Sequence, residues 1–153
     1  MPRKFLVVVD DSPEFDAALR YASRRARSTG GRVALLRVIP RGSDAHWSGV
    51  RDDIQRELRE EAEKLLARLG EQAAARSGAA PLFLIHEGDP EAAIRAAIAD
   101  DPEIKILVLA AATGGRGPGP LVSAVLKGGL GGRKLPVTLV PGELTEADIE
   151  DLA

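Results

Sequence analysis

Two adjacent carboxylates stand directly after an apolar run, Phe5-Leu6-Val7-Val8-Val9, and a hydroxyl follows them, giving the turn Val9-Asp10-Asp11-Ser12. A carboxylate at the end of a buried strand can hold a metal, act as acid or base, or contact a ribose or the edge of a base. Asp11 reads more simply as a strand-end residue ahead of the next helix. Asp10, which ends the run itself, is the candidate site residue. Catalysis has little behind it: no histidine lies nearby in sequence and no nucleophile motif is recognisable, so a small nucleotide hydrolase would rest on Asp10, Asp11 and Ser12 alone. No catalytic residue is assigned. His86 reads as a polar residue at a strand end, and His46, beside the single Trp47, has no second ligand at metal spacing. No metal site is expected.

A second group with chemical potential is the stretch Ala112 to Pro120, Ala-Thr-Gly-Gly-Arg-Gly-Pro-Gly-Pro. It is not a phosphate-binding P-loop, because no Gly-Lys-Ser/Thr follows, and a dinucleotide-binding fingerprint would follow the first strand, where this chain has aspartates. It offers backbone N–H groups leading into a helix that starts at Pro120 or Leu121, a plausible anion cradle with Arg116 as a mobile positive charge. The alternative is a surface loop without a ligand.

The elements that must position these residues follow from the pattern of apolar runs. Five runs, Phe5 to Val9, Val33 to Ile39, Leu82 to Ile85, Ile104 to Leu109 and Val137 to Val140, lack polar alternation, as strands covered on both faces do. Helical segments separate them, which predicts a parallel sheet with helices on both sides. The first helix is expected from Pro13 to about Ser28, with Ser12 as N-cap and Gly30-Gly31 as its stop. The second, about Val50 to Arg76, carries the stripe Ile54, Leu58, Ala62, Leu65, Leu66 and Leu69. The third starts near Asp89-Pro90 and the fourth fades at Gly128-Gly129. Thr145-Glu146-Ala147-Asp148 resembles a capping box, with Asp in place of Glu, opening a short acidic C-terminal helix. Ligands of an open parallel sheet sit beyond the carboxyl ends of its strands, and the order 3-2-1-4-5 would set the carboxylate pair and the glycine loop on adjacent strands.

The chain has 153 residues, 44% hydrophobic and 29% charged, with a net charge of -2 and no cysteine. This is the composition of one globular domain over residues 1–153, with no internal repeat or boundary. The absence of cysteine removes disulfides, thiolate nucleophiles and cysteine-based zinc sites, and it fits a reducing compartment. The charge argues against a nucleic-acid partner, and the arginines at 20, 24, 25 and 27 read as a solvated helix face. No run is long enough for a signal or membrane-spanning segment, so a cytoplasmic location without membrane partners is expected.

The opening Val7 to Pro13 resembles two families. In a response-regulator receiver domain the acidic pair holds magnesium, but a phospho-accepting aspartate is needed about forty residues on, and that distance lands on Arg51-Asp52-Asp53-Ile54 within the second helix. A receiver's lysine follows the fifth strand, whereas Lys134 precedes it here. The chain is more similar to the universal stress proteins across essentially its whole length. The matching features are Asp10-x-Ser12, Leu36-Arg37-Val38-Ile39 at the end of strand two, a loop before a long helix, Gly88-x-Pro90, the glycine loop after strand four, and Leu135-Pro136-Val137 before strand five.

That resemblance implies an α/β, Rossmann-like fold, an open five-stranded parallel sheet of order 3-2-1-4-5, as in adenine-nucleotide hydrolases. It also implies a homodimer formed through the fifth-strand edge, Val137 to Val140, across whose seam the acidic tail could pack. Members that bind ATP use the Asp ending strand one and a backbone group ending strand two, here Asp10 (with Val9) and Val38. The family's phosphate motif, Gly-x2-Gly-x9-Gly-Ser/Thr, keeps only Gly114 in register, with Ser123 near the hydroxyl position. Gly115, Arg116 and Gly117 complete the expected phosphate side, and Pro118 and Pro120 remove two N–H donors. The expected function is stress-response binding of ATP or AMP with a degenerate phosphate motif; the alternative is a dimeric scaffold that binds no nucleotide and recruits protein partners.

Overall fold

The computed structural model describes residues 3–41, 48–114 and 117–153, so His46, Trp47, Gly115 and Arg116 lie outside the described residues. Its strands are β1 (Lys4–Val9), β2 (Arg32–Ile39), β3 (Leu82–Glu87), β4 (Ile104–Ala111) and β5 (Val137–Pro141), and its helices α1 (Phe15–Thr29), α2 (Ser48–Ser77), α3 (Pro90–Asp100), α4 (Pro120–Gly128) and α5 (Glu146–Leu152). The sheet runs β3-β2-β1-β4-β5 with every neighbouring pair parallel. This is the order the resemblance implied.

β1 shows why its sequence does not alternate. Phe5, Val7 and Val9 face a core shared with Ala18, Ala22, Leu66 and Leu69 of α1 and α2. Leu6 and Val8 face the opposite core, with Ile94 and Ile98 of α3 and Val122 and Val125 of α4. Both faces are covered, so both must be apolar. Burial of the four leucine and isoleucine side chains Leu6, Leu36, Ile94 and Ile98 to 1% exposure or less is worth about 1.5–3 kcal/mol each.

Local chemistry sets the ends. Asp89 accepts a hydrogen bond from the Ala92 N–H (3.0 Å) with Pro90 at the first helical position, and Thr145 with Asp148 forms the full capping box of α5. Gly30 ends α1 at φ 70°, a left-handed conformation that other residues adopt only with strain. Two expectations need correction. α1 starts at Phe15 with Glu14 as cap residue, because the Ser12 hydroxyl is engaged by Asp10 instead of capping the helix. The stripe of α2 is buried only from Ala62 onward; Ile54 is 47% and Val50 is 52% exposed. At 1.5 Å per residue this 30-residue helix is about 45 Å long, far longer than the strands it covers, and its first turns pass beyond the sheet.

The C-terminal helix supplies the third difference. α5 is seated on α1 through buried Ile149, with ion pairs Arg24–Glu150 (3.1 Å), Arg20–Glu146 (3.8 Å) and Arg76–Glu146 (2.7 Å). In the single chain the acidic tail packs on α1, held by Arg20 and Arg24, two of the arginines read as a solvated face. Among the described residues no helix is long and apolar enough to cross a membrane.

Candidate functional site

The strand order reverses between β1 and β4: the chain leaves β1 toward β2 and β3, then crosses back to β4. A crevice opens there between the departing helices, at the carboxyl ends of the strands. It holds a cavity of about 510 Å³, within the range of small-molecule sites. Its wall includes Val9 and Asp10 from β1 and the turn after it, Val38 and Pro40 from the end of β2, Ala110 and Ala112 from β4, and Pro118 to Val122 at the start of α4.

Asp10 is fixed by its own turn. Its Oδ1 accepts from the Ser12 N–H (3.0 Å) and the Ser12 hydroxyl (2.6 Å), a closed Asx turn that fixes the carboxylate on the cavity wall. Among the described residues only Oδ1 is engaged, which leaves Oδ2 as an acceptor for a hydroxyl or amine. The parallel register Val9↔Arg37 brings the end of β2 beside this turn. Arg37 uses the proximity: its guanidinium donates to the Val9 carbonyl (3.2 Å) and pairs with the Asp11 carboxylate (3.1 Å). Asp11 is thus a partner for Arg37 and not only a strand-end residue. Glu14, from the turn into α1, also lines the cavity.

The start of α4 forms the opposite wall. Gly119 is its cap residue, at φ 112°, and Pro120 occupies the first helical position. The Ser123 N–H closes the first intrahelical bond onto the Gly119 carbonyl (3.1 Å). In any helix the preceding amides, here those of Leu121 and Val122, have no acceptor within the helix. They give this wall the positive end of the helix dipole.

The expected site residues thus divide. Val9, Asp10 and Val38 come together on the cavity wall. Gly114 and Gly117 do not line it: the Gly117 N–H turns onto the Gly114 carbonyl (3.3 Å), and the Ala112 N–H onto the Pro118 carbonyl (3.1 Å). Ser123 is exposed on α4, away from the cavity wall. Gly115 and Arg116 fall outside the described residues. Arg37, Glu14, Gly119 and the amides of Leu121 and Val122 were not singled out; for Arg37 the missing signal is the strand register, which no local spacing encodes. Among the described residues no three His, Asp or Glu side chains are grouped to hold a metal ion.

A model of the universal stress protein family matches residues 1–141. Among solved structures the chain is similar to the universal stress protein UspA from Lactobacillus plantarum, at 23% identity and TM-score 0.72 over 90% of this chain and 97% of that one. It is similar to a universal stress protein from Archaeoglobus fulgidus in complex with dAMP, at 18% identity and TM-score 0.58 over 90% and 97% of the two chains. A universal stress protein family protein from Arabidopsis thaliana with AMP bound gives 20% identity and TM-score 0.61 over 92% of each. At these identities the likeness concerns the fold. No curated protein matches the chain.

Proposed function

The chain belongs to the universal stress protein family, and from that premise we propose that the cavity at the carboxyl ends of β1, β2 and β4 binds an adenine nucleotide in a stress-response role. The observation that carries the reading is the joining of Asp10, Val38 and the α4 N-terminus around one cavity of about 510 Å³. Val8, Val38, Pro40 and Pro90 offer apolar surface for a purine, Asp10 an acceptor for a hydroxyl or amine, and the α4 start a pole for a phosphate. The relatives with dAMP and AMP bound support the same choice of ligand.

Isothermal titration of the purified protein with ATP, AMP and cyclic AMP tests it. Saturable heat with at least one ligand is expected; silence at millimolar concentration with all three sinks the proposal. Binding also has a thermodynamic echo: a ligand at a hundredfold excess over its Kd stabilises the native state by about 2.7 kcal/mol, visible as a raised Tm.

A second reading, a scaffold that recruits protein partners without a nucleotide, is favoured by one observation: Gly114, Gly117 and Ser123 lie off the cavity wall. Adenine absorbance released on denaturing the freshly purified protein would count against it. Both readings include a homodimer paired through β5, and a cytoplasmic location, with which the cysteine-free composition accords.

A further inference from the structure

We propose that the face of α1 and α2 on which α5 sits is a docking surface for an acidic amphipathic helix of a partner protein, and that α5 is the resident segment such a helix displaces. Arg20, Arg24, Arg76 and Ile149, which build the seat, lie off the wall of the nucleotide cavity. The inference therefore stands or falls separately from the adenine reading.

The contacts of the seat follow the period of a helix. Glu146 meets Arg20 of α1 and Arg76 of α2, Glu150 meets Arg24 of α1, and Ile149 is buried between them. Residues three and four apart share one helix face, so the pattern the surface accepts is an acid, an aliphatic residue at +3 and a second acid at +4. The pairing of 146 with 20 and of 150 with 24 also sets α5 parallel to α1 and in step with it. Yet α5 is a loose occupant. Seven residues are too few for a helix to hold its shape alone. Its glutamate side chains stay 61% and 66% exposed in their ion pairs, a setting in which such pairs add little. Ile149 belongs to neither of the two core clusters, so α5 can leave without opening the core. The family model ends at residue 141: the seat belongs to the shared domain, and its occupant does not.

The surface is also larger than α5. Ahead of the first turn of α5 the groove between α1 and α2 continues as an open cavity of about 530 Å³, lined by Asp16, Arg20, Gln72, Ala75 and Arg76. Arg20 and Arg76 are the two cations that hold Glu146, so this cavity adjoins the seat directly. In this chain the residues before Glu146 arrive from β5 and do not continue the helix into the groove. A helix from another protein has no such tether. Continued one turn back in step with α1, it sets the residue four positions before its first acid against Asp16, where a lysine fits. The partner is thus a helix with a basic residue, an acid four places on, an aliphatic residue three places after that acid, and a second acid beside it.

The experiment uses the full chain and two labelled peptides. One has the sequence of residues 144–153; the other adds a helical turn with a lysine four residues before the position of Glu146. Ile149→Asp unseats the resident helix. A docking equilibrium of about tenfold, with the effective concentration of about 1 mM usual for a short tether, gives the shorter peptide a Kd of about 0.1 mM for this variant. Wild type should bind it about tenfold more weakly, because α5 competes. The longer peptide should bind wild type more tightly than the shorter one and strip amide protection from residues 146–152 alone. Arg20→Glu with Arg24→Glu, added to Ile149→Asp, should weaken both peptides at least about tenfold while circular dichroism stays unchanged. Absence of binding to Ile149→Asp, equal affinity for wild type and variant, or indifference to the arginine reversal overturns the proposal. A longer peptide no tighter than the shorter one overturns the part assigned to the groove beside Asp16. Should Ile149→Asp fail to fold, the longer peptide on wild type decides: release of α5 upholds the docking surface, and retention at millimolar peptide overturns it.

Discussion

Asp10 holds its turn with one oxygen and offers the other to a ligand, so the two roles separate under mutation. Asp10→Ala removes the acceptor for both the Ser12 N–H and its hydroxyl. At about 0.5–1.5 kcal/mol per hydrogen bond, partly buried here, a loss of about 1–2 kcal/mol in urea unfolding is expected. Asp10→Asn keeps an acceptor in the same place and should cost about half that or less, yet it exchanges a carboxylate on the cavity wall for a neutral amide. Its expected signature is adenine-nucleotide affinity reduced about tenfold with near-native stability, read by titration and urea unfolding on the same sample. Equal losses of stability in both variants would remove the distinction. At this scale the sequence exposed Asp10 because an acid closing an apolar run is chemically out of place. It did not expose Arg37, whose part in the site depends on a neighbour 28 residues away, reached only through the register of β1 and β2. The loop glycines misled for the opposite reason. Their composition advertises free amides, but the bonds that join Ala112 to Pro118 and Gly117 to Gly114 are tertiary outcomes that composition does not contain.

The helices show the same division between what is local and what is not. Asp89-Pro90 and Thr145 with Asp148 were readable because a cap is settled within four residues. The overhang of α2 was not, since a stripe records which side chains are apolar and not where the sheet beneath them ends. α5 lies beyond the residues matched by the family model, so neither the resemblance nor its own acidity indicated its seat on α1. That seat should depend on pH. The hydrogen bond and charge of Arg76, with Arg20 adding to them, hold the Glu146 carboxyl below its ordinary 4.5, and the Thr145 amide and hydroxyl hold Asp148 below its ordinary 3.8. A carboxyl whose value is lower in the folded state contributes stability that is complete above its unfolded value and lost as pH falls through the folded one. Docking of α5 is therefore expected at full strength above about pH 5 and weakening below about pH 4. Amide exchange should show it: residues 146–152 lose protection on acidification before β1 does. Ile149→Ala should produce the same selective loss at neutral pH and cost about 1–2 kcal/mol, less than a typical core truncation because a terminal helix can detach as a unit. Uniform loss across the chain, or none in α5, would count against this account of its docking.

For the whole molecule, the parallel sheet and its order were readable because five apolar runs separated by helices admit few arrangements, and the family resemblance picked one. How the sheet ends is a separate matter. β5 is five residues long and forms one margin of the sheet, with Leu139 38% exposed. An edge of this kind leaves one row of backbone donors and acceptors unpaired and open to a second strand. α5, the next element in sequence, is held on α1 by Ile149 and the pairs of Arg20 and Arg24. Two copies related by a twofold axis can then set β5 against β5, each strand satisfying the other's free edge and covering its Leu139. Light scattering at micromolar concentration should report the mass of two chains. Leu139→Lys places a charge on each strand at that seam, where like charges brought together repel. It is expected to shift the mass to that of one chain while leaving the fold, read by circular dichroism, unchanged. A wild-type protein of single-chain mass refutes the arrangement outright, and a Leu139→Lys variant that stays dimeric moves the interface to another surface.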